Sequence, residues 1–360
     1  MKNLYIGVMS GTSLDGIDVA LCDFTTTEVK LLFFSEFIFP IELKNKILNA
    51  IEVPLSLQEF GTLDQKLAQL FSNAILKFCK EHSIDKKSIQ AIGLHGQTLW
   101  HKPNGEFPFS LQLGDANRVV AETGIKTIAD FRRMDMANGG QGAPFTPAFH
   151  QFLFSSLNEN IAVVNIGGMA NISLLGDVLK GWDSGVGNAL MDYWIEKCEK
   201  RAYDKGGSFA KKGLLHQELL KKMLNDAYFQ KIPPKSTGRE YFNKKWLTTM
   251  LSSFGTLSHQ DIQRTLLEFT AQTISNDLKN RAITTIIICG GGSKNDFLMQ
   301  RLQALNSAKV STSDIFGING DALEAMAFAW LAYKRTKNEV IELKSVTGAK
   351  KNSHLGAIYG

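Results

Sequence analysis

Proline is scarce in this chain, 8 residues in 360 against 31 glycines, so its turns rest on backbone freedom more than on rigid linkers. Cysteine is scarcer still. Cys22, Cys79, Cys198 and Cys289 lie far apart with no CxxC pair. That argues against a zinc site, and against a disulfide framework in a chain large enough to have its own core. No apolar stretch approaches the ~18 residues of a membrane span. The N-terminal one runs straight into Asp15 and Asp18 and is too short for a signal peptide. A cytoplasmic protein with no membrane attachment is expected. An excess of one charge is also missing: 40 basic residues face 35 acidic ones, a net +5. A clustered basic face for nucleic acid is not indicated, whereas a small anionic substrate is compatible.

What is present is an ordinary globular mixture, 44% hydrophobic and 21% charged, which excludes a disordered or collagen-like chain. The length suggests two lobes. Apolar runs at Leu4–Met9, Val19–Phe24 and Leu31–Phe39 read as strands, the first two joined by a loop of small residues. Leu63, Leu67, Leu70, Phe71, Ile75 and Phe78 recur at helical spacing. Further strands are expected at 91–94 and 126–129, and a helix at 118–123. Residues 130–150 read as loop. A lobe boundary falls near there, giving expected lobes 1–130 and 131–360. Ile161–Ile166, then Gly167-Gly168, then Ile172–Leu175 repeats the strand–turn–strand pattern of the N-terminus, a faint internal repeat. Residues 188–200 and 266–278 have helical period. Thr284–Cys289 reads as a buried strand. Helices follow at about 295–305 and 321–334.

Three glycine-rich turns follow strands: Gly11–Gly16, Gly167–Gly168 and Gly290–Gly292. Glycine lets backbone N–H groups approach phosphate oxygens. None matches GxxxxGK[ST] or GxGxxG, so a P-loop and a dinucleotide fingerprint are both excluded. The first turn also carries Thr12, Ser13, Asp15 and Asp18. Their hydroxyls suit phosphate, and Asp15 or Asp18 could hold Mg²⁺ directly or through water; turn stabilisation is the other reading of Asp15 and Ser13.

Several longer strings are more specific than their parts: GVMSGTSLDGIDVAL (7–21), HGQT (95–98), ADFRRMDMANGGQGAPFTPAFH (129–150), NIGGMANISLL (165–175), GWDSGVGNALMDYW (181–194), PKSTGREYFN (234–243), ICGGGSKNDFLM (288–299) and EAMAFAWLA (324–332). In this order, over nearly the whole chain, they resemble the anhydro-N-acetylmuramic acid kinase family. Departures are small: Trp182 and Ser184 flank Asp183 where the family often has Phe and Cys, and Thr146 replaces a common Val.

The resemblance implies an α/β chain with the actin, hexokinase and Hsp70-like ATPase fold, in which two ribonuclease-H-like lobes flank an ATP cleft. It implies a kinase that opens the 1,6-anhydro ring hydrolytically and phosphorylates the 6-oxygen. The products would be N-acetylmuramic acid 6-phosphate and ADP, in peptidoglycan recycling. ATP and Mg²⁺ would be the cofactors and a homodimer the assembly. A plain sugar or acetate-type kinase of this fold, or a non-catalytic nucleotide-binding module, is the alternative. ATP and its phosphates would lie on Gly11, Thr12, Ser13, Leu14, Asp15, Gly16, Ile17 and Asp18, on Gly167 and Gly168, and on Gly290, Gly291 and Gly292 at the adenosine side.

Asp183 would be the catalytic base. On its own it reads as an aspartate beside Trp182 and just ahead of a helix, where capping is common. Asn188 is the nearer cap, and partial burial by Trp182 would raise the Asp183 pKa toward that of a useful base. Glu324 is the one charge between Asp321 and Lys334 on a helix apolar nearly all round. It should meet an arginine or the sugar. Arg132 and Arg133, read in a loop, suit the lactyl carboxylate of a muramic acid. His95 and Gln97 at a strand end could orient sugar hydroxyls, or be structural. Asp135 and the segment from Lys235 to Arg239 are further cleft candidates. His82, His101, His216, His259 and His354 have no metal-ligand spacing.

Overall fold

Short runs of unbroken apolar residues become the centres of sheets, where both faces are covered. Leu4–Met9 (β1) and Thr285–Cys289 (β11) are such runs, and each sits inside a sheet of its own. The computed structural model describes residues 3–11, 14, 16–26, 28–157, 160–233 and 235–360. The chain divides into two units, residues 1–153 with 322–360, and residues 154–321.

In the first unit, β1 pairs antiparallel with Gly16–Asp23 (β2), which pairs antiparallel with Lys30–Ile38 (β3). On its other side β1 runs parallel to Ile89–Leu94 (β4), and β4 to Thr127–Ala129 (β7). Ala357–Tyr359 (β13) closes that edge antiparallel to β7. Gln97–Lys102 (β5) and Phe109–Leu113 (β6) form a separate hairpin. Strand alternation decides what covers the large sheet. Ile6, Val8, Ile92 and Leu94 face the helix Leu57–Glu81, through Leu67, Phe71, Ile75 and Phe78. The intervening residues on the opposite face include Gly7 and Gly93. There the backbone of the helix Leu323–Thr336 lies directly on the sheet: a Cβ built on Gly7 would stand 1.8 Å from the Ala325 oxygen, and one on Gly93 1.9 Å from the Phe328 oxygen.

In the second unit, Ile161–Ile166 (β8), Met169–Leu174 (β9) and Lys180–Val186 (β10) form an antiparallel series. Strand β8 then runs parallel to β11, and β11 to Lys309–Thr312 (β12). The order β10-β9-β8-β11-β12 repeats β3-β2-β1-β4-β7 of the first unit, with the same strand directions. The faint repeat of the sequence is therefore two copies of one ribonuclease-H-like sheet, in line with the expected α/β class. Val164, Ile166, Ile286 and Ile288 pack with Leu266, Phe269 and Ile274 of the helix His259–Leu278. Glu268 of that helix is buried but paired, with Arg264 and Arg301 each at 2.8 Å.

Two expectations need correction. The chain has no single boundary at 130/131: it crosses at 153/154 and returns at 321/322, because the last long helix packs on the first sheet. Residues 130–150 are not a loop. They hold the helices Arg132–Ala137 and, from Thr146, Thr146–Phe154 around a glycine-rich turn. Asp183, ahead of the helix Ala189–Glu199 as expected, lies within β10. No described helix is long and apolar enough to cross a membrane, and none of the four cysteines forms a disulfide among the described residues.

Candidate active site

Parallel strands in open α/β sheets present their carboxyl ends to ligands. In the second unit β8 and β11 end side by side at Gly167 and Gly290. The first of these turns is stitched to another at 185–188. Gly187 N–H donates to the Gly168 carbonyl at 2.9 Å, and Asn188 N–H to the Gly167 carbonyl at 2.8 Å. Gly290 has φ +75, which glycine tolerates, and a side chain there would strike Asn165 Oδ1 at 2.3 Å. Gly292 is pressed against Ile166. Gly291 is open, with only Asn188 Nδ2 at 3.7 Å from a built Cβ. It helps to line a cavity of about 440 Å³ with Asn188, Asp192, Tyr203, Lys205 and Lys294. That volume lies in the range of small-ligand sites, ~300–1,000 Å³. The expected phosphate residues Gly167, Gly168, Gly290, Gly291 and Gly292 are thus brought to one corner. Asn188 stands at the N-cap position of the helix Ala189–Glu199, but its side chain makes no cap; it donates to the Ile166 carbonyl at 3.1 Å.

Asp183 is held on three sides. Its N–H donates to the Lys235 carbonyl at 3.0 Å. Its own carbonyl accepts from the Tyr228 hydroxyl at 2.7 Å. Its Oδ2 accepts from the Thr237 N–H at 3.0 Å. Burial pushes the carboxyl up to about 6; Glu240 adds to the rise, while the Thr237 N–H and the Lys235 ammonium oppose it. The raised value was expected, but its source differs. Trp182 points into the core, donating to Asp277 Oδ2 at 2.8 Å, and the segment through Lys235 and Thr237 encloses the carboxylate instead. Lys235 Nζ is buried, 3.1 Å from Asp277 Oδ1 and 5.2 Å from the centre of the Tyr228 ring.

The first unit gathers a second group. Arg132, at the start of its short helix, donates through Nη2 to His95 Nε2 at 2.8 Å and through Nη1 to the Gly142 carbonyl at 2.7 Å. A guanidinium cannot accept, so Nε2 of His95 is the acceptor and Nδ1 carries the hydrogen. Among the described residues neither that buried Nδ1 nor the buried Arg132 Nε makes a side-chain hydrogen bond within bonding distance. Burial first, and the Arg132 charge second, hold the His95 pKa well below its ordinary value, so the ring is neutral. Burial lowers Arg132 to about 10 against the pull of Glu324 and Asp135. Glu324 is raised by burial, with Arg132 opposing. Arg132 is the cation nearest in effect, yet no ion pair within 4 Å joins the two among the described residues. Gln97 accepts from Ser10 Oγ at 2.8 Å and donates to the Gly11 carbonyl at 3.4 Å, linking the HGQT string to the first glycine turn. Arg133 is exposed and 3.5 Å from Asp130, and it lines a cavity of about 170 Å³ together with His95. Asp135 is a support, accepting from Gly142 N–H and Thr347 Oγ1 at 2.8 Å each.

Within the first turn, Thr12, Ser13 and Asp15 lie outside the described residues. Leu14 and Ile17, expected at the phosphates, are core residues with side chains 1% and 0% exposed; only their backbones could meet a ligand. Gly11, Gly16 and Asp18 are part-exposed. Magnesium needs only one or two carboxylates when phosphates supply the remaining ligands. Asp18, a hard oxygen donor near the start of β2, fits that requirement. Among the described residues no three His, Cys, Asp or Glu side chains form a cage for a metal.

A family model described as anhydro-N-acetylmuramic acid kinase matches residues 3–360. The chain belongs to the anhydro-N-acetylmuramic acid kinase family. Among curated relatives, the anhydro-N-acetylmuramic acid kinase of Sulfurimonas denitrificans is 51% identical over 367 residues, covering 100% of both chains. That of Sulfurovum sp. (strain NBC37-1) is 49% identical over 361 residues, covering 99% of both. Two residues at the Asp183 site of this family member escaped the sequence reading. Tyr228 sits in an unremarkable AYFQ string, and Asp277 reads as one more polar position on an amphipathic helix. The nearest signal was Lys235, within a string already singled out.

Proposed function

We propose that the protein uses ATP to convert 1,6-anhydro-N-acetylmuramic acid to N-acetylmuramic acid 6-phosphate, releasing ADP, and that Asp183 is its general base. The observation that carries this reading is a carboxylate raised to about 6 by burial, with one oxygen fixed by Thr237 N–H and the other unbonded among the described residues. A base poised near neutrality can take a proton from water and still be ionised beforehand. Asp183 takes that proton as the water oxygen bonds to the anomeric carbon. The bond from that carbon to the 6-oxygen breaks. The freed 6-oxygen attacks the γ-phosphorus, and ADP departs. One atom is both leaving group and phosphoryl acceptor, so no separate acid has to protonate it.

Other residues bind and orient. The glycine corner at 167–168 and 290–292, with its cavity, is assigned to the nucleotide, and Gly11 to Asp18 to its phosphates. Arg132 is assigned to the sugar's lactyl carboxylate, and the His95 Nδ1–H, Gln97 and Glu324 to its polar groups; Arg133 lies at the rim. Asp15 or Asp18 would hold Mg²⁺, directly or through water, and the ion when bound would neutralise charge spread over the transferred phosphoryl oxygens. The near balance of charge supports small molecules over nucleic acid as partners. The role in cell-wall sugar recycling, a cytoplasmic location and a homodimer follow from the family resemblance.

Mass spectrometry of a reaction with Mg-ATP and the anhydro sugar tests the assignment, and Glu324→Gln sharpens it. The wild type should yield the phosphorylated, ring-opened sugar. The variant should need roughly 10- to 100-fold more sugar at unchanged KM for ATP, the loss of a charged hydrogen-bond partner being worth ~1.5–3 kcal/mol. Normal sugar KM with a lowered melting temperature would make Glu324 a structural partner of Arg132 instead.

A further inference from the structure

A general base works only if it is held still and kept ionised at the working pH. Two segments meet at Asp183, and neither is fixed by the hydrogen bonds of the sheet alone. One is β10 itself, whose register shifts at Asp183/Gly185. The other is the segment around Lys235 to Thr237, which has no regular secondary structure. Asp277, near the end of the helix His259–Leu278, touches both. Its Oδ2 accepts from the indole N–H of Trp182, the residue before Asp183, at 2.8 Å. Its Oδ1 accepts from Lys235 Nζ at 3.1 Å, two residues before the Thr237 N–H that holds the base.

From this geometry we infer that Lys235 and Asp277 are positioning residues for Asp183. Asp277 ties the strand bearing the base to the segment bearing its hydrogen-bond donor. The Lys235 ammonium, lying over the Tyr228 ring, supplies a fixed positive charge behind the carboxylate. A buried ion pair is an expensive way to stabilise a fold, and a well-packed apolar pair often does as well. Its retention beside the base is explained by what it does to the base. The inference rests on Asp183 being that base.

The charged and titratable groups that face Asp183 are Lys235 and Glu240 from the adjoining segment, Tyr228 from the turn Ala227–Gln230, and, through Lys235, Asp277 from the helix. Among the described residues, Lys235 is the group whose charge favours the ionised carboxylate. Removing that charge must therefore move the acidic limb of the pH–rate profile upward.

The test compares Lys235→Met and Lys235→Arg with the wild type in kcat/KM from pH 5 to 8. Lys235→Met is expected to shift the acidic limb upward by roughly half a unit or more and to lower kcat. The KM values for sugar and ATP should hold. Lys235→Arg, which keeps the charge, should return the limb toward the wild-type position. A Lys235→Met limb that coincides with the wild type, or an equal shift in Lys235→Arg, would overturn the inference. Should Lys235→Met not fold, Asp277→Asn carries the same question: kcat at least about tenfold lower, at unchanged KM values, supports it, and unchanged kcat contradicts it. Turnover surviving in Asp183→Asn would remove the base itself. A dead Asp183→Asn with indifferent Lys235 and Asp277 variants would remove only the positioning roles.

Discussion

Replacing Asp183 by Asn should reduce turnover by ~10²–10⁴, the range for loss of a general base, while ATP still binds. The carboxamide has the same shape and can still accept from the Thr237 N–H, so the fold should persist; what it cannot do is take a proton from water. The wild-type profile supplies the matching pH signature. With a carboxyl raised to about 6, the base is protonated below that value. Turnover therefore falls as pH drops through 6, tenfold per unit well below it, and levels off above. Steady-state rates from pH 4.5 to 8 check the limb, and calorimetry with ATP checks binding. A variant with wild-type turnover, or a wild-type profile that stays flat down to pH 4.5, would exclude Asp183 as the base.

The largest expected effect on stability is at Gly7. A methyl group there would overlap the Ala325 carbonyl at 1.8 Å and the Ala329 nitrogen at 2.6 Å. Both atoms are helix backbone and cannot rotate away, so Gly7→Ala must lift the helix Leu323–Thr336 off β1. Overpacking costs ~1–3 kcal/mol when side chains can adjust; with backbone against backbone the upper end of that range or beyond is expected. Gly61→Ala is the control. Gly61 lies within the helix Leu57–Glu81 with nothing within 4 Å of a built Cβ, so alanine should stabilise by about 0.5–1 kcal/mol. Urea unfolding of the three proteins checks both signs. Equal midpoints for Gly7→Ala and the wild type would contradict the close approach of helix and sheet.

Residues whose chemistry and neighbours are local were legible in the sequence. Strands β1 and β11 announced themselves as unbroken apolar runs, and the helix Leu57–Glu81 by its period. Strand β10 did not, because KGWDSGV mixes two glycines with charged and polar residues and bends at a register shift. The division into units was missed because the helix Leu323–Thr336 returns to the first sheet through two glycines, and a glycine in a strand does not say what lies over it. Asp183 was found from its string, but the groups that set its behaviour come from 45 to 54 residues away, beyond any local pattern. Arg132 and Arg133 look alike in sequence. The helical turn that starts at Arg132 sends one inward to His95 and leaves the other at the surface.

The most direct measurement is the fate of solvent oxygen. The anhydro sugar has no free 6-hydroxyl, so ring opening must supply the phosphoryl acceptor, and the atom that opens the ring comes from water. In ¹⁸O-water, with product analysed before mutarotation exchanges the label, one ¹⁸O should appear at the anomeric carbon and none in the phosphate. Label in the phosphate would mean that water attacked ATP, and unlabelled product at both positions would mean that no water opened the ring; either result would contradict Asp183 as a base that activates water against the sugar.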